Sequence, residues 1–120
     1  MLNEYAKSYY ETAKSKGFWD KPRNIGEMLM LITSELGEAM EAHRKGNFAN
    51  KETFEYDIKN GVPLKKAFEK NIKDTFEDEL ADVLIRLFDM AGGLTIDLDY
   101  HVNIKNNYNQ YRERLHGKKY

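Results

Sequence analysis

The segment that most constrains the fold is residues 75–91, Thr-Phe-Glu-Asp-Glu-Leu-Ala-Asp-Val-Leu-Ile-Arg-Leu-Phe-Asp-Met-Ala. Projected at about 100° per residue, Phe76, Leu80, Val83, Leu84, Leu87, Met90 and Ala91 form one stripe. Ala81, Ile85 and Phe88 extend it past half the circumference. Such a helix needs cover on most sides. One chain of 120 residues can hardly supply it, so the expectation is a homodimer or homotetramer with this helix near a shared core. The same helix nevertheless carries two acids at the edge of its apolar arc. Glu79 projects beside Met90 and Val83, and Asp82 one step further out.

A second segment repeats the pattern. Within residues 24–45, Ile25, Met28, Leu29, Ile32, Leu36, Ala39 and Met40 make an apolar stripe, widened by Leu31 and Ala42. Glu35 falls inside that widened arc and Glu38 at its edge. Residues three apart share a helix face, so Glu35-Leu-Gly-Glu38 and Glu79-Leu-Ala-Asp82 each aim two carboxylates one way. If the two helices pack side by side, four acids converge. A carboxylate on a core-facing edge is costly unless paired, protonated or bound to a cation. The plain alternative is that these are ordinary helix acids paired with Arg86, Lys45 or Arg44.

The rest of the chain also reads as helix. Residues 2–16 form a weak stripe closed by Gly17, and Phe18 to Arg23 a loop with Pro22. Asn24 is placed as an N-cap with Glu27 three residues on, and Gly46 as a stop. Residues 46–62 lose periodicity, with a short helix or helical turn over 51–58 between two turn segments. Residues 64–73 are helical, joined through a break near Asp74 to the segment that Thr75 can cap. Gly92-Gly93 marks its end, and a last helix starts near Thr95 or Asp97. No strand alternation and no internal repeat is present. The fold class is all-α, a single domain over 1–120 with four main helices.

Apolar residues make up 41% of the chain, enough for a core, and a formal charge of −1 argues against nucleic acid or a membrane surface as a partner. The absence of cysteine excludes disulfides, zinc ribbons and thiol nucleophiles. The first residues lack a signal-peptide pattern and no apolar run reaches membrane-spanning length, so the expected location is cytoplasmic.

Four convergent carboxylates are hard oxygen ligands, which suit magnesium or manganese. A ferritin-like di-iron centre needs Glu-x-x-His, and neither pair ends in His. Magnesium typically works with a phosphate-bearing substrate, and the tail offers Lys105, Arg112, Arg114, Lys118 and Lys119, with Asn109 on the face of Arg112. Solubility is the plain reading of such a tail. Trp19, in a loop, either caps the core or stacks on a base. His101 and His116 read as bystanders.

Glu35-Leu-Gly-Glu38, the spacer and Glu79-Leu-Ala-Asp82 resemble the ExxE and ExxD signature of the MazG-like all-α nucleoside triphosphate pyrophosphohydrolases, related to the dimeric dUTPases. The flanks are similar too: Gly17-Phe-Trp19, residues 24–39, residues 77–86, Asn109-Gln-Tyr-Arg112 and His116-Gly-Lys-Lys119. The spacer, residues 39–78, is longer than in the simplest members, and nothing in the resemblance says what residues 47–72 do. The resemblance implies an oligomeric four-helix bundle that hydrolyses a nucleoside triphosphate to monophosphate and pyrophosphate, as nucleotide-pool sanitation. Magnesium would sit on Glu35, Glu38, Glu79 and Asp82, with Glu38 also taking the water's proton. Trp19, Asn109, Arg112 and Lys118 would hold the nucleotide. The competing readings are a non-catalytic helical dimer that binds nucleotide or a partner, and a DNA-binding adaptor, which the charge balance disfavours.

Overall fold

The computed structural model describes residues 1–120. It is all-helical: α1 (Leu2–Ser15), α2 (Ile25–Arg44), α3 (Lys51–Lys59), α4 (Leu64–Asn71), α5 (Phe76–Gly93) and α6 (Leu98–Asn109), followed by a short 3-10 segment at Arg114–Gly117. No helix is long and apolar enough to cross a membrane. The contacts group the chain into two compact units, Lys21–Leu87 and Met1–Asp20 with Phe88–Tyr120.

The first unit holds α2, α3, α4 and residues 76–87 of α5. The Asn24 side chain accepts the Glu27 N–H at 3.0 Å, capping α2 where the sequence placed the cap. At its other end Asn47 N–H reaches Ala42 O at 2.9 Å and Gly46 N–H reaches His43 O at 3.0 Å, with Gly46 at φ +66°. This pair of bonds satisfies the last carbonyls and turns the chain sharply. The turn is then fastened to the start of α5. Phe76 N–H donates to Asn47 O at 2.9 Å, and the Glu77 carboxylate accepts the Ala49 N–H. His43, Phe48 and Phe76 stack edge to face beneath this junction, with centroids 5.3–6.1 Å apart. His43 meets Phe76, and Glu35, two turns earlier, meets Arg86. The opposite order of these contacts makes α2 and α5 antiparallel.

Residues 47–72, which have no counterpart in the motif, form a helical hairpin. Asn50 caps α3 by accepting the Thr53 N–H, and Pro63 opens α4. The two helices pack on each other. Asp57, buried in α3, accepts from Asn71 Nδ2 at 2.9 Å and from Lys70 Nζ at 3.4 Å. Asn50 N–H donates to Asn71 O. The break before α5 falls at Asp74, in the left-handed region at φ +63°, and Thr75 Oγ1 lies 3.4 Å from the Asp78 N–H.

In the second unit α1 packs on α6. Asp99 accepts the backbone N–H groups of Leu2 and Asn3 and the Met1 amino group, serving as a borrowed cap for α1. Gly17 ends α1 at φ +91°, as expected from the sequence. α5 ends at Gly93, where the sequence placed its end, but the left-handed turn that follows is made by Thr95 at φ +54° and not by a glycine. Ile96 N–H closes onto Ala91 O and Thr95 N–H onto Gly92 O. The glycines are there for close approach. A Cβ on Gly92 would lie 2.4 Å from Ala6 O, and one on Gly93 would lie 2.3 Å from the Trp19 ring.

Candidate metal centre

Glu35 and Glu79 are the two acids that sequence projection put deepest in their arcs, and they are the two most buried of the four, at 7% and 6% exposure. Oxygen atoms of Glu35, Glu79 and Asp82 lie within 4.8 Å of one another. The spacing follows from the antiparallel pairing of α2 and α5. Glu79 and Asp82 share one face of α5, and Glu35 points at that face from α2. Glu38, one turn further along α2, is exposed, yet its carboxyl is close enough to hydrogen-bond with Glu35 and Glu79. The structure therefore brings all four acids together, three as a tight cluster and the fourth at the rim.

The electrostatics reflect crowding out of water. Burial, then hydrogen bonding to Glu35 and the charges of Glu38 and Glu35, push the Glu79 carboxyl up to about 7. Asp82 is raised by burial first and then by the charges of Asp78 and Glu35. Glu38 is raised by its hydrogen bond with Glu35 and the Glu35 charge. Glu35 alone ends below the usual range. Burial pushes it up, but hydrogen bonds from Glu38, Arg86 and Glu79 outweigh that. Arg86 Nε donates to Glu35 Oε1 at 2.8 Å, so one of the pairings that the plain reading offered does exist. It neutralises one of four acids.

The other three are left short of positive partners. Glu79 Oε2 is buried and has no hydrogen-bond partner. A buried carboxylate oxygen without a donor is costly. A divalent cation coordinated by Glu35, Glu79 and Asp82 would satisfy it and relieve the repulsion that raises Glu79 and Asp82. The donor set is all carboxylate oxygen, which suits magnesium or manganese.

The nucleotide-binding candidates lie in the other unit. Trp19 is half-buried. Its Nε1–H donates to Asp89 Oδ1 at 2.7 Å, Tyr10 packs edge-on to its ring at 5.2 Å, and Gly93 lies against it. Asn109 keeps a buried Oδ1 with no partner. The Arg112 guanidinium sits 5.9 Å from the Tyr108 ring centre, and Lys118 is exposed. Sequence reasoning did not single out the groove beside Asp82, formed by Leu64, Lys65, Phe68, Glu69, Lys73, Asp74, Asp78 and Asp82. Its signal was present in the cationic residues Lys65, in α4, and Lys73, just after it, beside the apolar residues Leu64 and Phe68.

No family model matches the chain. No curated protein and no solved structure matches it either.

Proposed function

We propose that this protein is a magnesium-dependent nucleoside triphosphate pyrophosphohydrolase of the MazG-like kind, releasing a nucleoside monophosphate and pyrophosphate. The observation that carries the reading is the unpartnered Glu79 Oε2 inside a cluster of three carboxylates on two antiparallel helices. It is joined by the match of those acids to the ExxE and ExxD signature. Glu35, Glu79 and Asp82 would hold magnesium (or manganese), which would supply positive charge to the phosphates and lower the pKa of water. Glu38 suits the proton-accepting role because it touches the cluster while remaining open to solvent, and its raised pKa brings it closer to neutrality. It also stands as a fourth ligand. Arg86 holds Glu35 in its orientation through the 2.8 Å bond. Asn109, Arg112 and Lys118, which lie in the other unit, are phosphate partners on the resemblance alone. Trp19 is the weakest of the proposed nucleotide contacts, since its ring and N–H are already engaged in packing.

The reading includes a homodimer or homotetramer with a four-helix core. The apolar stripe of α2 supports this because it divides in two. Met28, Ala39 and Ala42 are buried, whereas Ile25, Leu29, Leu36 and Met40 are about half exposed. On α5, Leu80, Leu84 and Ile85 are exposed as well. No large side chain is fully buried anywhere in the single chain. A second copy covering these faces would supply the core that one chain lacks. The test of function is a pyrophosphate-release assay across nucleoside triphosphates with magnesium. Release that disappears in Glu79→Gln supports the proposal. A well-folded protein that releases none from any nucleotide overturns it and favours a non-catalytic helical dimer.

A further inference from the structure

The groove between α4 and the start of α5 is an open, solvent-facing depression of about 650 Å³, a volume within the roughly 300–1,000 Å³ typical of small-molecule sites. Asp82 both lines this groove and belongs to the three-carboxylate cluster, so the groove borders the cluster at that residue. Phe68 and Leu64 give the groove an apolar wall. Lys65 and Lys73 line it as well, and neither is in an ion pair, although Glu69, Asp74 and Asp78 share the same groove. Asp78 is already engaged, accepting the Asp74 N–H at 2.9 Å. Four carboxylates outnumber the two lysines in the groove, so it suits a ligand whose phosphates arrive with a divalent cation and that also carries a flat apolar ring.

We infer that the α3–α4 hairpin is a substrate-binding element: its groove receives the nucleoside triphosphate, with Lys65 and Lys73 on phosphate oxygens and Phe68 against the base. This rests on the pyrophosphohydrolase reading and assigns a role to residues 47–72, which the acidic motif leaves unexplained. The Asp57–Asn71 and Asn50–Asn71 hydrogen bonds then have a purpose beyond packing, because they fix α4 against α3 and so hold the shape of the hairpin. Lysine–phosphate contacts are charge-assisted, and each is expected to be worth about tenfold in affinity.

The test measures dissociation constants by calorimetry for the full-length protein with manganese present. Two probes are used: an α,β-imido nucleoside triphosphate and inorganic tripolyphosphate. Lys65→Ala combined with Lys73→Ala is expected to weaken both probes by about a hundredfold, tenfold for each lysine. Phe68→Ala is expected to weaken the nucleotide severalfold and leave tripolyphosphate unchanged. Manganese affinity without nucleotide and the melting temperature of the lysine variants should match the wild type, which separates ligand binding from a merely structural role. Wild-type binding that the lysine variants retain within twofold overturns the hairpin inference and leaves the pyrophosphohydrolase reading standing. A wild-type protein that binds manganese but neither probe overturns both.

Discussion

Replacing Glu79 with glutamine removes the charge that the cluster holds least comfortably and keeps the shape of the side chain. In the metal-free protein the Glu79 carboxyl titrates near 7, against 4.5 for an ordinary glutamate. Below pH 4.5 the group is protonated whether the chain is folded or unfolded and costs nothing. Between 4.5 and 7 the unfolded chain has lost the proton and the folded chain keeps it, so stability falls as pH rises. Above 7 the loss is complete. At about 1.4 kcal/mol per pH unit, the full penalty is at most about 3 kcal/mol. The Glu79→Gln variant cannot ionise and avoids it. At pH 8, without divalent ions, the variant should therefore be more stable than wild type by up to about 3 kcal/mol, or up to about 10 °C in melting temperature for a chain of this size. At pH 4.5 the two should nearly coincide. Added magnesium should reverse the order, stabilising wild type by mass action and leaving the variant unmoved. The assay is thermal and urea unfolding at matched protein concentration, across pH 4.5 to 8, with and without magnesium. A variant less stable than wild type by more than about 1 kcal/mol at pH 8 in chelator would refute the reasoning, since the lost charge would then have been well compensated.

Other perturbations separate the parts of the account. Arg86→Met leaves Glu35 as a buried carboxylate without its donor and should cost about 2 kcal/mol in chelator; much of the loss should return with manganese, read by urea midpoints. Divalent affinity should weaken as pH falls through 7, because Glu79 takes up a proton that competes with the cation, and manganese titrations at pH 6 and 8 check the direction. Gly92→Ala places a methyl against the Ala6 carbonyl and should destabilise by about 2 kcal/mol net, overpacking outweighing the roughly 1 kcal/mol gained in helix propensity. A neutral or stabilising result would show that α1 can shift away. Asn71→Ala should raise amide exchange across α3 and α4 without changing manganese affinity, because the acids belong to α2 and α5.

Much of this was legible in the sequence because helical periodicity is a strong signal and acids are conspicuous against it. Projection put Glu35 deeper in its arc than Glu38, and Glu79 deeper than Asp82. The structure buries the first of each pair and leaves the second more open. Asn24 and Gly46 bounded α2 through cap chemistry that acts locally. What the sequence could not reveal depends on long-range contacts. Gly92 and Gly93 mark the end of α5 as read, but that they are glycine for the close approach of α1 and Trp19, with Thr95 carrying the turn, emerges only from the packing. Trp19 beside Phe18 gives no hint that Asp89 will accept its N–H from seventy positions away. Lys65 and Lys73 read as solvated charge until Asp82 is placed at the end of their groove.

The central claim is that the carboxylates of α2 and α5 hold a divalent ion for triphosphate cleavage. Phosphorus NMR of a nucleoside triphosphate incubated with the protein and magnesium tests it most directly. The account expects monophosphate and pyrophosphate in equal amounts, dependent on magnesium and lost in Glu79→Gln. Orthophosphate as the first product, or equal turnover in chelator and in that variant, would contradict it.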